Sequence, residues 1–252
     1  MNLLEHCIIP DWLAPKNVCA LQTTRVGGVS SAPYDSLNLG DHVGDAPMTV
    51  ARNRMLLNSL LPSEPVWLEQ VHGTVVANAD MANCLPRADA CIARRRGSVC
   101  VVMTADCLPI LLCDSQGSVV CAAHAGWKGL AAGVIESAVR AMEASPQDLM
   151  AWFGPAISQR HFEVGNDVRT VFVNTNPQAG EAFTPSPRKG EGRGEGDKYF
   201  ANLYLLARQR LNALGINKIY GGSYCTFNDR ERFFSYRRDG VTGRMGTFIW
   251  IE

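Results

Sequence analysis

Apolar residues in this chain cluster in short runs rich in valine, isoleucine and cysteine, with few long stripes of helical spacing. VCALQTT at 18–24 predicts a first strand, followed by the turn GGVSS and a loop, SLNLGDHVGD, built from turn formers. Residues 47–61 predict a helix that starts near Pro47 or Thr49 and carries Val50, Met55, Leu56, Leu57 and Leu60. PVWLEQVHG, SVCVVMTADC, PILLCD and SVVCAAHAG are too short and too rich in valine for helices and are read as strands. A helix is predicted over 129–143, with Leu130, Val134, Ser137, Ala138 and Ala141 along one side. AWFGPAI then forms another strand ending in a turn.

Helical spacing returns in Val164, Val168, Phe172 and Val173, which predict a helix over 161–176. The next stretch, TPSPRKGEGRGEGDK at 184–198, has Gly, Pro and charge but no apolar anchor. Such a composition cannot offset its ordering entropy, so it reads as a mobile surface insertion. Its Arg188, Lys189 and Arg193 are balanced by Glu191, Glu195 and Asp197, which argues against a grip on nucleic acid. A helix over 199–214 is closed by Gly215. KIYGGSYC and FFSYRRDGVTGRMGTFIWIE predict two or three further strands joined by a Gly-containing turn. The 252 residues fit one large domain or two closely packed halves.

Charge narrows the function. With 24 basic against 24 acidic side chains and 46% hydrophobic residues, nothing suggests an electrostatic hold on nucleic acid or anionic membranes. A small soluble substrate is the better expectation. The nine cysteines are odd in number and show no CxxC pair, so they read as reduced thiols. The start, MNLLEHCIIPDW, has Glu5 where a signal peptide wants positive charge and Pro10 within its apolar run. A cytoplasmic location follows as an expectation.

Three residues carry the candidate chemistry. His72 in EQVHG, Cys107 in TADCLP and His124 in AHAGWKG each sit among small residues at the predicted end of a buried strand. Two imidazoles and a thiolate fill three corners of a zinc tetrahedron and leave the fourth open, as in a catalytic site. Strand alternation puts Leu68, Gln70 and His72 on one face, making Gln70 the neighbour of the metal. It also puts Ala122 and Val120 beside His124 and turns Cys121 and Glu69 away. Pro109 donates no ladder hydrogen bond and is expected to bend the chain and expose the Cys107 thiol. Two other readings fit the same residues. Cys107 could serve as a nucleophile with His124 or His72 as base. Alternatively, a metal could merely staple strands, with Cys225 or Cys113 as fourth ligand. Free cysteine is most often a buried hydrophobe, and the intervals match no local zinc-finger pattern.

The phrases TRVGGVS, LNLGDHVGD, WLEQVHG, ADACI, TADCLPILL, AAHAGWKGL, GPAIS, HFEVG and SYRRDGVTGR occur in this order. Together they resemble the YfiH-like family, also called the laccase-domain or polyphenol oxidase family, over residues 18–251. The resemblance implies a single-domain α+β fold, an αββα sandwich of mixed β-sheets, and a metal on His72, Cys107 and His124, zinc or alternatively copper. Asn202 stands where the family more usually has aspartate, and the 184–198 insertion is foreign to its pattern. The activities implied are phosphorolysis of adenosine, inosine, guanosine and methylthioadenosine, adenosine deamination, copper-dependent oxidation of polyphenols, and editing of peptidoglycan precursors. A multicopper oxidase needs many paired histidines, whereas this chain has only His6, His42, His72, His124 and His161. The nucleoside reading calls for a phosphate site and a proton shuttle. Arg25, Lys128, Arg237 and Arg238 lie beside Gly-rich turns or motif cores and suit phosphate. His42 suits acid–base work and Asn38 a base or ribose contact. Expected partners are a nucleoside and phosphate, with no nucleic acid and no membrane, for a monomer or small homo-oligomer.

Overall fold

The computed structural model of the chain describes residues 3–81, 85–187 and 197–252. The valine-rich runs pair into two sheets. One is antiparallel, with the order β1 (Val18–Gln22), β12 (Met245–Ile251) and β4 (Cys100–Thr104). The other has six strands in the order β11 (Lys218–Gly221), β7 (Leu149–Phe153), β5 (Leu108–Asp114), β6 (Val120–Ala125), β3 (Ala90–Ala93) and β2 (Val76–Asn78). Only its two outermost pairs are parallel. A small third sheet joins β8 (Glu163–Gly165), β10 (Lys198–Ala201) and β9 (Phe183–Pro185).

Every residue of β4, β5, β6, β7 and β12 is buried, because both faces of these sheets are covered. Alternation divides the side chains between two cores. Val120 and Ala122 of β6 meet Val102 and Ile249 of the smaller sheet. Cys121, Ala123 and Ala125 face the other way, toward Leu130, Val134, Ile135 and Leu206. Those residues belong to α2 (Trp127–Ala132), α3 (Val134–Met142) and α5 (Leu203–Ala213), which cover the larger sheet together with α4 (Asn166–Thr175). On the far side, Leu21, Val101, Met103 and Phe248 pack on Leu57, Leu61 and Trp67, next to α1 (Pro47–Leu56). The result is the expected αββα sandwich. Among the described residues no helix is long and apolar enough to cross a membrane.

Several expected elements change where tertiary pairing overrides local pattern. The helix over 129–143 is two helices, since Gly133 adopts φ 101° and donates back to Gly129 O, ending α2 before α3 begins. PVWLEQVHG is extended along the free edge of β4 but forms only isolated bridges, Val66 with Cys100 and Glu69 with Arg87. The helix expected from 161 starts at Asn166 because Glu163–Gly165 pairs with β10. Likewise 199–214 becomes helical only at Leu203, where Asn202 Oδ1 accepts the Leu205 N–H as N-cap. Gly215, at φ 89°, does follow its end. The ends of the 184–198 stretch are paired rather than loose: Thr184 and Pro185 lie in β9, Lys198 lies in β10, and Ser186 N–H donates to Lys198 O. Positions 188–196 of that insertion lie outside the described residues. SYRRDG, expected within strands, holds the short helix α6 (Tyr236–Asp239), capped by Ser235 Oγ.

A buried asparagine secures the loop that precedes α1. Asn53 Oδ1 accepts the Val29 N–H at 2.8 Å, and Nδ2 donates to Ser30 Oγ, Ser36 O and Asn38 O. Gly28 must lack a side chain there, because a Cβ would collide with Ser36 O and Asn53 Oδ1. Asn53→Ala leaves several buried polar groups unpaired and is expected to cost about 3 kcal/mol or more. Urea unfolding should show this as a lower midpoint with an unchanged m-value.

A His-Cys-His candidate metal centre

The site forms where the chain crosses from one sheet to the other. After β4, Asp106 takes φ 97°, and this turn presents Cys107 at the head of β5. Asp106 is fastened at three points: its carboxylate accepts the Thr226 hydroxyl at 2.6 Å and the Arg237 N–H at 2.7 Å, and its carbonyl accepts Ile157 N–H. Pro109 does not make the bend. It lies inside β5, opposite His124.

His72 ends the segment that follows the free edge of β4, and its φ of 59° turns the imidazole back toward Cys107. Gln70 docks that segment by a two-way bond, with Nε2 donating to Met103 O at 2.8 Å and Oε1 accepting Met103 N–H at 2.7 Å. Its amide is therefore committed to the backbone, which corrects the expectation that it faces metal or substrate. His124 comes from β6 in the other sheet. Its Nδ1 lies 2.8 Å from Asp89 Oδ1, leaving Nε2 for a ligand role. The same buried carboxylate accepts the N–H groups of Val71, His72 and Gly73, so Asp89 holds both histidines.

Ligand atoms of His72, Cys107 and His124 all lie within 4.8 Å of one another, and Cys107 Sγ is 3.7 Å from His72 Nε2. Zinc bonds of about 2.0–2.3 Å in a tetrahedron would separate such donors by roughly 3.3–3.6 Å, so the set fits an ion with small adjustments. Gly126 makes this room: a Cβ there would stand 2.7 Å from His72 Cδ2 and 2.9 Å from Cys107 Sγ. His124 is buried, Cys107 half-buried and His72 exposed, so the cluster opens on one side. Among the described residues no fourth His, Cys, Asp or Glu joins it. Cys113 is buried between the sheets, and neither it nor Cys225 completes a staple. Cys121 points into the helix-side core, as alternation predicts.

Electrostatics favour a charged pair in the metal-free cluster. Burial opposes the Cys107 thiolate, but the charge and hydrogen bonds of His124 and His72 outweigh it and bring its pKa down to about 6. Burial also opposes the His124 imidazolium, yet the Cys107 thiolate and Asp89 raise its pKa to about 9. Asp89 pays for its own burial with hydrogen bonds from His124 and Gly73, which hold its carboxyl below the usual carboxylate range.

Most of the remaining predicted contacts are committed to the fold or to solvent. Asn38 is fully buried, and its side chain is consumed by Gly40, Asp45 and Arg244 N–H. Arg238 is spent on Thr226 O, Phe227 O, Phe233 O and the Asp239 carboxylate. Arg25 ties Asp35 to Arg230 O, and Arg237 reaches Glu163 O. His42 is exposed beside Asp41, and Lys128 is exposed in the first turn of α2. Sequence reasoning passed over Asp89, Asp106, Gly126 and Arg244. All four stand in the quoted phrases ADACI, TADCLPILL, AAHAGWKGL and SYRRDGVTGR. An acid opening an apolar run was the available signal for Asp89.

Comparison with known proteins identifies the family. The profile of the family described as "Multi-copper polyphenol oxidoreductase laccase" matches residues 19–252. The chain is 51% identical over 251 residues to "Purine nucleoside phosphorylase YfiH" of Escherichia coli (strain K12), covering 98% of this chain and 100% of that one. It is 49% identical over 245 residues to "Purine nucleoside phosphorylase PA4543" of Pseudomonas aeruginosa, with 97% and 98% covered. The crystal structure of Neisseria meningitidis protein NMB0706 superposes with a TM-score of 0.90 at 48% identity, over 98% of this chain and 99% of that one. With a family profile spanning residues 19–252, a relative half identical over its whole length and a closely superposing fold, the chain belongs to the multi-copper polyphenol oxidoreductase laccase family, in its YfiH-like group.

Proposed function

We propose that the protein is a zinc-dependent purine nucleoside phosphorylase of the cytoplasm, acting on adenosine, inosine, guanosine and methylthioadenosine and also deaminating adenosine, as a monomer or small homo-oligomer. The observation that carries this reading is the three-ligand cluster, open on the His72 side, in a chain half identical to relatives named purine nucleoside phosphorylase. The unpaired state of the described cysteines suits a reducing compartment. One thiolate with two imidazoles suits zinc. Held by His72, Cys107 and His124, zinc would supply a Lewis acid at the open face.

The chain's own groups prepare that face. Asp89 fixes the tautomer and direction of His124, and through the Val71–Gly73 backbone it sets the pose of His72. Gly126 keeps the space between His72 and Cys107 clear. In phosphorolysis a hydrogenphosphate oxygen forms a bond to C1′ as the C1′–N9 bond breaks. The electron pair leaves with the purine, which gains the proton that phosphate gives up, so the products are the free base and a pentose 1-phosphate. Deamination replaces the C6 amino group with oxygen from water and releases ammonia.

Copper-dependent polyphenol oxidation is the second reading, favoured by the family's description. Against a multicopper site stands the histidine supply. His42 is exposed and His161 stacks on Phe227, while the described residues contain one metal-ligating group of three or more. A Cys-His hydrolase acting on peptidoglycan precursors would use Cys107 without metal.

Metal analysis and product assays separate these readings. Cys107→Ala and His124→Ala are expected to lose both bound zinc and turnover of adenosine and inosine, and a wild-type rate in either variant sinks the proposal. Asp89→Asn should weaken zinc about 10–100-fold, read by competition with a chromogenic chelator. In chelator-treated protein, iodoacetamide should label Cys107 at a rate that rises as pH passes upward through about 6, since the thiolate is the reactive form. Added zinc should protect it. If metal-free protein turns over substrate at the wild-type rate and alkylation of Cys107 abolishes that turnover, the hydrolase reading replaces this one.

A further inference from the structure

Phosphorolysis needs a cation to hold its anionic nucleophile, and the arginines expected for that task are largely spent on the fold. Arg238 bonds three carbonyls and a carboxylate, and Arg25 is paired with Asp35. Arg244 is different. It immediately precedes β12, whose first residue, Met245, pairs with Thr104 at the last position of β4. Cys107 leaves from that same end of β4, and His72 arrives along its opposite edge. Arg244 therefore stands across the strand end from His72, on the flank of the cluster.

Its anchoring is built. The Arg244 N–H donates to Asn38 Oδ1 at 2.9 Å, and its carbonyl accepts Leu39 N–H. A Cβ on Gly40 would come within 2.8 Å of Arg244 Cγ, so the stem lies in a groove that only glycine leaves open. Among the described residues, Nη1 alone in the guanidinium has protein acceptors, the carbonyls of Thr242 and Gly243, both at 3.0 Å. Among the described residues Nε and Nη2 have no protein acceptor and no carboxylate forms an ion pair with this arginine, and neither nitrogen is sealed in the interior. Burial weakens its charge, while the nearby Cys107 thiolate and Asp106 carboxylate support it. A half-buried fork with one side tied to carbonyls and two adjacent donors free matches the bidentate demand of a phosphate.

We propose that the free Nε and Nη2 edge of Arg244 binds the phosphate that attacks C1′, an inference that rests on the phosphorylase reading above. The arginine fixes two phosphate oxygens and leaves a third to form the C1′–O bond as the C1′–N9 pair departs with the purine. This gives Asn38, Gly40 and the LNLG loop a role: they aim Arg244 rather than touch the nucleoside.

The test uses wild type, Arg244→Lys and Arg244→Gln, each with zinc content and thermal midpoint measured. Phosphate-dependent release of hypoxanthine and ribose 1-phosphate from inosine by wild type is the check on the phosphorylase reading itself, and its absence defeats that reading with this inference. Given that activity, Arg244→Gln should raise the KM for phosphate about tenfold or more while the KM for inosine changes little. Arg244→Lys should fall between. A wild-type phosphate KM in Arg244→Gln overturns the inference and leaves the phosphorylase reading standing. Should both variants fail to fold, phenylglyoxal labelling of wild type decides the matter. Inorganic phosphate is expected to slow modification of Arg244, read by peptide mapping, and an unchanged rate overturns the inference.

Discussion

One buried carboxylate organises the site. Asp89 is fully buried, and a carboxylate in that setting is tolerable only when its oxygens are saturated with donors. It meets that demand with the His124 ring and three successive backbone N–H groups from Val71 to Gly73. Each donor is thereby fixed by a charge it cannot leave without stranding it. The arrangement converts a desolvation cost into geometry, since the His124 ring and the His72 backbone N–H meet on the same oxygen, Asp89 Oδ1. Asp106 repeats the device for the third ligand, joining the Cys107 turn to Thr226 and the backbone of α6.

The two sheets supply the frame on which those carboxylates act. Alternation sorts β6 so that Val120 and Ala122 enter the core between the sheets while Cys121 and Ala123 enter the helix side. The small residues that allow close sheet packing also leave His124 the largest side chain on its strand. Gly126, at the start of α2, extends the same economy of volume to the cluster itself. Packing and chemistry thus draw on one pattern of small residues.

Much of this was legible in the chain. Short apolar runs marked β1, β4, β5, β6, β7 and β12 but not β2 or β3, and the EQVHG, TADCLP and AHAGWKG phrases marked the three residues that the fold gathers into one cluster. What local sequence could not show was which polar groups the fold would consume. Asn38 and Arg238 stand in glycine-rich segments and look like ligand contacts, yet loops that fold inward must satisfy their own backbone, and these side chains do that work. Gln70 shows the same confusion in another form, because alternation placed it correctly in the extended segment but could not reveal that Met103 would claim its amide. Pairing also decided the borders. Tyr199–Ala201, read as the start of a helix, is recruited by β8 and β9, and Pro109 is carried inside β5 because Asp106 absorbs the turn.

The ligands' origins carry a thermodynamic consequence. His72 lies along the smaller sheet, His124 belongs to the larger one, and Cys107 sits on the segment that passes between them. No single sheet can assemble the trio, so an unfolded or undocked chain offers an ion only scattered donors. An ion that recognises only the docked state stabilises that docking by mass action. An ion held there would act on the lifetime of the folded protein as well as on its chemistry, and a shortage of the ion would cost the molecules themselves along with their turnover.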